Sequence, residues 1–237
     1  MERQEGEQAA LRFLQGHTDL HAFRQRLIQH HLERGELAEV KRLCTEWLER
    51  QPAAMPGHRR YYLDTLLEAA RRGEDTPEVL RLAQVLLLET AEFKYYKLIK
   101  ELQPGQSWPA TLEALIEDLR PASRGWIVLP EIYLHEGMWD ELLEAALRAG
   151  EPLLERYRAE LEPRFPEEVS RAYEGMVYGM LERTSNRGVY ARAAELLRRM
   201  AAMGYRGRVG EVIDDLTSTY RRRRGMVEEL NAARPGG

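Results

Sequence analysis

The sequence predicts an all-α protein. Apolar residues recur three and four positions apart between short breaks along the chain, and no stretch shows the strict alternation of a half-buried strand. A weak internal repeat is also present, in which one helix ends at a glycine-containing turn and a second helix with small inner-face residues follows at once. These patterns predict antiparallel helix pairs packed one after another.

The helices of the first half follow from this periodicity and from local start signals. Thr18 and Thr76 can cap the N–H groups of a first turn, and Pro77 suits the first turn itself. The locally apolar run 86–88 predicts a helix that is buried on several sides. The predicted helices cover residues 4–14, 19–33, 37–50, 59–71, 77–90 and 92–102.

The second half continues in the same way, with Pro109 at the start of its first helix. The predicted helices there cover residues 110–119, 126–135, 139–148, 152–161, 167–183, 190–203 and 208–230. The breaks between helices that contain both proline and glycine are the best boundary candidates, and they are residues 103–108 and 121–125. Because both are too short for a flexible linker, we expect two halves, 1–120 and 121–237, in one continuous solenoid.

Two copies of the internal repeat can be followed along the sequence. The copy in the second half consists of Trp126, Leu129, Tyr133, Gly137, Leu142, Ala146 and Ala149. The copy in the first half consists of Leu27, Gly35, Val40, Cys44, Trp47 and Pro52. Offsets of three and four place each set on one helix face, and the glycine supplies the turn between the two helices. Bulky residues of one helix are therefore expected to meet small residues of the next.

The second-half copy resembles a tetratricopeptide-type repeat, because its first four residues fall where that motif places its large residues and its turn glycine. Pro130 stands where the motif favours glycine, and Leu142 replaces the usual alanine. Further glycines at Gly73 and Gly188 recur at uneven separations, whereas such repeats keep a period of about 34 residues. The resemblance implies an irregular, TPR-like helical-hairpin solenoid with a long surface for binding other chains.

Composition limits the classes of function. The chain has 237 residues, of which 43% are apolar, so it can bury a sizeable core. Its 35 basic and 39 acidic residues leave a formal charge of −4, which argues against nucleic-acid binding by the whole surface but permits a local basic patch. Residues 1–8 are charged and no long apolar stretch follows them, so we expect a cytoplasmic protein that does not contact a membrane.

The residue patterns predict no catalytic chemistry, no cofactor and no metal. His17 and His21 lie one helical turn apart, but the sequence fixes no third ligand near them, and a solvated or partner-facing pair is the favoured interpretation. Cys44, the only cysteine, falls on an apolar helix face and is expected to be a core residue. The chain also lacks a nucleophile elbow, a phosphate-binding loop and a dinucleotide-binding turn. A hydrolase would require acidic or histidine side chains that converge from separate helices.

One segment combines aromatic and basic residues, namely Phe93, Lys94, Tyr95, Tyr96, Lys97 and Lys100. Such a mixture can hold a single nucleic-acid strand through base faces and phosphates. The helical spacing favours another interpretation, in which most of these rings pack between helix pairs.

The densest charge in the chain is the run Arg221 to Arg224. Four consecutive arginines surround a helix instead of forming one stripe, so the default expectation is a solvated helix end. The expected partners of these guanidinium groups are Asp214, Asp215, Glu228 and Glu229. The alternative is a contact with nucleic acid or another anionic partner, because phosphate binding uses clustered arginines.

A resemblance to a second family covers most of the chain. The residues that carry it are Arg183, Thr184, Ser185, Asn186, Arg187, Tyr190, Ala193, Ala194, Leu196, Leu197, Met200, Tyr220 to Arg224 and Leu230, with Phe13, Leu14, His17, Asp19, Leu20, Arg24, Ile28, Gly35 and Leu43 earlier in the chain. This pattern is similar to the C-terminal helical region of bacterial SWIM zinc-finger proteins. The zinc finger of that family uses a C-x-C pair and a later C-x-H, which a chain with one cysteine cannot supply.

The resemblance implies an interaction surface without catalysis. SWIM-containing proteins are associated with DNA and protein interaction, often beside helicase-like partners. Within the matching segment, Ser185 or Asn186 can cap the following helix.

These observations predict a non-catalytic scaffold that binds another protein, whose identity the sequence does not give. The alternative prediction is a nucleic-acid-associated accessory domain. Its candidate contacts are Arg187, Arg221, Arg222, Arg223 and Arg224. Steep salt dependence of binding to a generic duplex would favour that alternative.

Overall fold

In a computed structural model of the protein, residues 9, 11–50, 56–183 and 186–235 are described. Every regular element in these ranges is a helix and no strand occurs among them, which confirms the predicted all-α class. Among the same residues, no helix combines the length and apolar composition that crossing a membrane requires. Pro52, Thr184, Ser185 and most of the predicted helix 4–14 lie outside the described residues.

The chain consists of two compact units, Met1–Ile132 (unit 1) and Tyr133–Gly237 (unit 2). Residues 11–16 are helical and precede the labelled helices. The helices are α1 His21–Glu33, α2 Leu37–Arg50, α3 Pro56–Arg72, α4 Thr76–Thr90, α5 Phe93–Leu102, α6 Trp108–Leu119, α7 Gly125–Glu136, α8 Trp139–Ala149, α9 Glu151–Arg156, α10 Arg158–Arg164, α11 Pro166–Arg183, α12 Arg187–Ala202, α13 Arg206–Thr219 and α14 Arg224–Ala232. A short 3-10 turn, Gly105–Ser107, precedes α6.

Glycine supplies the predicted turn at two places, because Gly35 and Gly137 have φ angles of 72° and 69°. Gly73 lies in the α3–α4 turn, where Glu74 takes the left-handed conformation. Asp75 rather than Thr76 caps α4, and its carboxylate accepts a hydrogen bond from the Glu78 N–H at 3.3 Å.

Thr18 is not the cap of α1, because that helix begins at His21 after Leu20. Pro77 and Pro109 do lie in the first turns of their helices, as predicted.

Unit 1 is a zigzag of helices in which each of α1 to α4 packs on the next helix. Odd-numbered helices also touch each other. The Arg72 guanidinium of α3 donates to the Leu32 carbonyl of α1 at 3.1 Å, and the Tyr95 hydroxyl of α5 donates to Asp64 of α3 at 2.5 Å. These contacts place α1, α3 and α5 in one row.

The even-numbered helices form the second row of unit 1. Lys41 of α2 is paired with Asp75 at the start of α4, with 3.0 Å between nitrogen and oxygen. Gln84 of α4 donates to Asp118 of α6 at 2.9 Å, and these two helices also pack directly. Helix α4 therefore has neighbours on several sides, and Leu86 and Leu87 are fully buried, as the apolar run 86–88 predicts.

Unit 2 repeats the zigzag, because the helices from α8 to α14 pack consecutively and α12 also packs on α14. Helices α11 and α13 touch as alternate members of this array. The Arg208 guanidinium of α13 donates to Glu174 of α11 at 2.9 Å, and the Tyr178 hydroxyl donates to Asp215 at 2.8 Å.

Two predicted helices of unit 2 are each two helices in the structure. The helix predicted at 152–161 is interrupted at Tyr157, so that α9 meets α12 through Glu155 while α10 meets α11 through Glu162. The helix predicted at 208–230 is interrupted at residues 220–223, after which α14 folds back on α12. This turn allows Met226 and Leu230 to be fully buried. The apolar periodicity continues through both breaks, which is why the sequence suggested unbroken helices.

Candidate binding surfaces

A groove of about 380 Å³ lies between α3 and α5 on the odd-numbered row of unit 1. Its lining residues come from two helices that are neighbours in space but not in sequence. They are Asp64, Leu67, Glu68 and Arg71 of α3 and Lys94, Tyr95, Lys97, Leu98 and Glu101 of α5. The volume of the groove and the mixture of side chains that line it suit a short peptide segment.

The floor of this groove is apolar and fixed. Leu67 and Tyr95 are buried, and Leu98 is half-buried. The Tyr95 hydroxyl is held by Asp64, and burial together with this bond raises the pKa of Tyr95. Lys94 lies over this ring, 4.6 Å from its centre, so the ring is a rigid support and half-buried Leu98 is the apolar side chain that a bound segment can contact.

The rims of the groove carry charges of both signs. Glu68 is paired with Arg72 at 2.7 Å, outside the groove. Arg71, Lys97 and Glu101 are exposed and make no ion pair within the described part of the chain. Lys97 instead lies 5.3 Å from the centre of the Phe93 ring. These groups can form ion pairs with a bound chain without first breaking an existing one.

The neighbouring aromatic residues pack as the helical spacing predicts. Tyr95 and Tyr96 are buried, and the Phe93 ring stacks on Tyr96 with 5.0 Å between the ring centres. Their faces are consequently covered by protein, which argues against the base-stacking interpretation of this segment.

The arginine run lies in the turn between α13 and α14, not around one helix. Arg223 is half-buried: its Nη1 donates to the Leu181 carbonyl in the last turn of α11 at 2.5 Å, and its guanidinium lies 4.3 Å from the Tyr220 ring centre. Arg223 therefore has a structural role, and its part in a partner contact stays a prediction. Arg221, Arg222 and Arg224 are exposed.

The acidic partners expected for this run are engaged elsewhere. Asp214 is paired with Arg234 at 2.6 Å, and Asp215 accepts the hydrogen bond from Tyr178. Within the described residues, no ion pair joins the arginine run to Glu228 or Glu229 either. The expectation of local charge pairing was therefore wrong.

Arg187 opens α12 and is exposed. Asn186 caps this helix, because its side-chain oxygen accepts a hydrogen bond from the Val189 N–H at 2.9 Å, as the sequence predicted. The cap fixes the position at which Arg187 enters the helix.

The histidine pair suggested by the sequence diverges in the structure. His17 bonds to the Phe13 carbonyl at 2.8 Å, whereas His21 bonds to the Tyr62 hydroxyl at 3.0 Å and stacks on His58. No group of three or more metal-ligating side chains occurs among the described residues.

Cys44 is fully buried, and burial raises the pKa of its thiol to about 12. A thiol with this pKa is protonated at neutral pH, so Cys44 is the core residue that the sequence predicted.

Trp126 does not pack as the internal repeat predicted, because its side chain is 71% exposed. It follows Gly125, where a Cβ would collide with the Leu119 carbonyl oxygen. Leu129 and Tyr133 of α7 are buried instead, and Ile127 beside Trp126 is also exposed. The spacing of apolar residues three and four positions apart identified one apolar face of α7. It did not show that Trp126 lies at the edge of that face.

No protein-family model matches the chain, and no curated protein sequence matches it. The similarities to tetratricopeptide-type repeats and to the SWIM-associated helical region consequently stay predictions from the residues named above.

Proposed function

We propose that the protein is a non-catalytic scaffold that binds a segment of another protein in the groove between α3 and α5. The observation that carries this proposal is the groove itself, with its apolar floor and charged rims. The two helices expose this surface because α4 packs against both of them and keeps them in one row.

The zigzag of unit 1 supports the proposal. Arrays in which alternate helices share a row present extended surfaces, and TPR-like solenoids use such surfaces to bind other chains. Leu98 provides apolar contact area at the centre, and Arg71, Lys97 and Glu101 surround it. A small apolar centre within a polar rim is the usual anatomy of a protein interface.

Site-specific photocrosslinking in the host cell tests the proposal. A benzoylphenylalanine residue replaces Leu98 in the groove, and a matched residue replaces exposed Glu113 on α6, in the other row. We expect a discrete adduct from position 98 that position 113 does not give. The same adducts from both positions, or none from position 98, would contradict the groove as the binding surface.

A substitution gives the second arm of this test. Leu98→Lys places a charge on the groove floor and is expected to remove the partner found by crosslinking. The control is Leu147→Lys, which changes an exposed leucine of unit 2. The proposal includes a cytoplasmic location, which fractionation of the host cell checks.

A further inference from the structure

One end of unit 2 carries a concentration of exposed arginines, which we name the arginine end. It consists of Arg183, Arg187, Arg221, Arg222 and Arg224, all of which are exposed. These residues come from the end of α11, the start of α12 and the turn before α14.

The Arg223 hydrogen bond to Leu181 brings these elements together. Leu181 lies two residues before Arg183, and only residues 184–186 separate the ends of α11 and α12. Because Arg223 donates to a carbonyl in the last turn of α11, the turn that holds Arg221 and Arg222 lies beside the end of α11, and α12 packs on both α11 and α14. Folding of the helices therefore brings together, at one end of unit 2, arginines that are about 40 positions apart in sequence.

The charge of the arginine end is not compensated locally. Within the described residues none of its five side chains takes part in an ion pair. Two other exposed arginines of unit 2, Arg148 and Arg171, do have carboxylate partners, which are Glu144 and Glu167. Glu182 and Glu228 are the acidic residues that lie beside the arginine end in sequence.

Two helices add to the positive potential, because α12 and α14 both begin at this end. Their unpaired N–H groups and macrodipoles favour negative charge within the first turn. The arginines, not the helix ends, provide most of the charge, and their planar donor groups match phosphate oxygens in pairs.

We propose that the arginine end binds duplex nucleic acid through phosphate contacts, without reading its sequence. A duplex presents about one negative charge per 1.7 Å of its axis, so it can meet several arginines at once. A single strand is disfavoured because stacking needs exposed rings, whereas Tyr190 is buried and Tyr220 is covered by Arg223.

An anionic membrane is the other extended phosphate surface, and the arginine end lacks the apolar groups that insert into one. The exposed large apolar side chains of the described chain are Phe13, Leu20, Trp126, Ile127 and Leu147. None of them belongs to helices α11 to α14. The chemistry of this end is therefore that of a phosphate-backbone contact.

Fluorescence anisotropy with a labelled duplex of about 20 base pairs tests this inference, at NaCl concentrations from about 50 to about 200 mM. The test protein carries Arg221→Gln, Arg222→Gln and Arg224→Gln, and Arg223 is left in place. The control carries Arg158→Gln, Arg198→Gln and Arg206→Gln, which are exposed arginines of the same unit and give the same change in net charge.

We expect the wild-type protein and the control to bind with steep salt dependence. The test variant should lose about tenfold or more in affinity at the lowest salt, and the slope of log K against log salt should fall by about 3. A second variant with lysine at the same three positions keeps the charge and should retain most of the binding. Circular dichroism confirms that each variant is folded.

Equal affinities and slopes for the test and control variants would overturn the inference. It would also be overturned by tighter binding to a single strand than to the duplex, or by binding to phosphatidylserine vesicles without binding to the duplex. The groove proposal is independent of these outcomes, because the crosslinking positions lie in unit 1.

Discussion

The two units arrange their helices in the same zigzag, and each contains a cluster of side chains that joins helices, aromatic in unit 1 and ionic in unit 2. The aromatic cluster joins α1, α2 and α3. His21 of α1 stacks on His58 of α3 with 3.6 Å between ring centres, and Trp47 of α2 stacks on Tyr62 of α3 at 4.2 Å. Trp47 and Tyr62 are both buried, so these rings form part of the core.

In unit 2 the cluster is ionic and joins α9 to α12. Arg192 and Arg199 of α12 both donate to Glu155 of α9, at 2.9 and 2.5 Å. Glu151 and Glu195 complete a network of alternating charges. The Arg199 side chain is only 12% exposed, so this network lies partly out of water.

This difference explains why the internal repeat is weak. The zigzag requires an apolar face on each helix and a tight turn between helices, whereas the side chains that make further contacts between helices can be stacked rings or ion pairs. The residues at these contacts can therefore differ between the units while the zigzag of helices stays the same.

Replacement of Trp47 should have the largest effect. Trp47→Ala removes a buried ring from the stack with Tyr62, and the cavity is expected to lower the free energy of unfolding by about 3 to 5 kcal/mol. Urea denaturation with hydrogen exchange by mass spectrometry should locate the loss in unit 1. Trp126→Ala is the control, because that exposed ring should contribute less than about 0.5 kcal/mol. Similar losses for both variants would show that Trp47 does not have a core role.

Replacement of Arg199 should have the next largest effect, and in unit 2. Arg199→Ala removes a partner of Glu155, Glu195 and Tyr173, and should lower the free energy of unfolding by about 2 kcal/mol after allowance for solvent screening. Arg198→Ala, in the next position but exposed, should change it by less than about 0.5 kcal/mol. Chemical denaturation measures the free energy of unfolding of both variants. An Arg199 variant as stable as the Arg198 variant would show that the ionic network does not stabilise unit 2.

Acid should act on unit 2 through Glu155. Hydrogen bonds from Arg199 and Arg192 lower the pKa of this carboxyl from 4.5 to about 2. The stabilisation is therefore present above pH 4.5 and is lost as the pH falls from 4.5 toward 2. Glu155→Gln should flatten the decline in unfolding free energy over this range, as measured by urea titrations at several pH values. An unchanged decline would assign the acid sensitivity to other groups.

Milder acid should act on unit 1 through His21. Burial, with His58 as a second cause, lowers the pKa of His21 below 6.5. The unfolded chain then binds more protons than the folded chain just below pH 6.5, so unit 1 should lose a small amount of stability as the pH falls through 6.5. His21→Gln should weaken this dependence in thermal melts from neutral pH downward. A wild-type melting temperature that does not change over this pH range would contradict this role of His21.

Local patterns were enough to predict the fold class, most helix positions and the Gly35 and Gly137 turns. Each depends on residues within a few positions, as does the Asn186 cap. The sequence could not reveal the groove, because Asp64 and Tyr95 lie 31 positions apart and meet only after α4 has packed between their helices.

The arginine run shows the same limit. Its density was visible in the sequence, but the structural role of Arg223 depends on Leu181, 42 positions earlier. The break at residues 220–223 was also hidden, because apolar residues stay in helical register across it.

Hydrogen exchange of the wild-type protein at about 0.1 M and about 1 M NaCl tests the difference between the units most directly, because the screening length falls from about 10 Å to about 3 Å. We predict faster exchange in the peptides of α9 and α12 at high salt, with no increase in the peptides of α1 and α3. Equal responses in the two units, or a larger response in α1 and α3, would contradict the account that an ionic cluster joins α9 to α12 and an aromatic cluster joins α1 to α3.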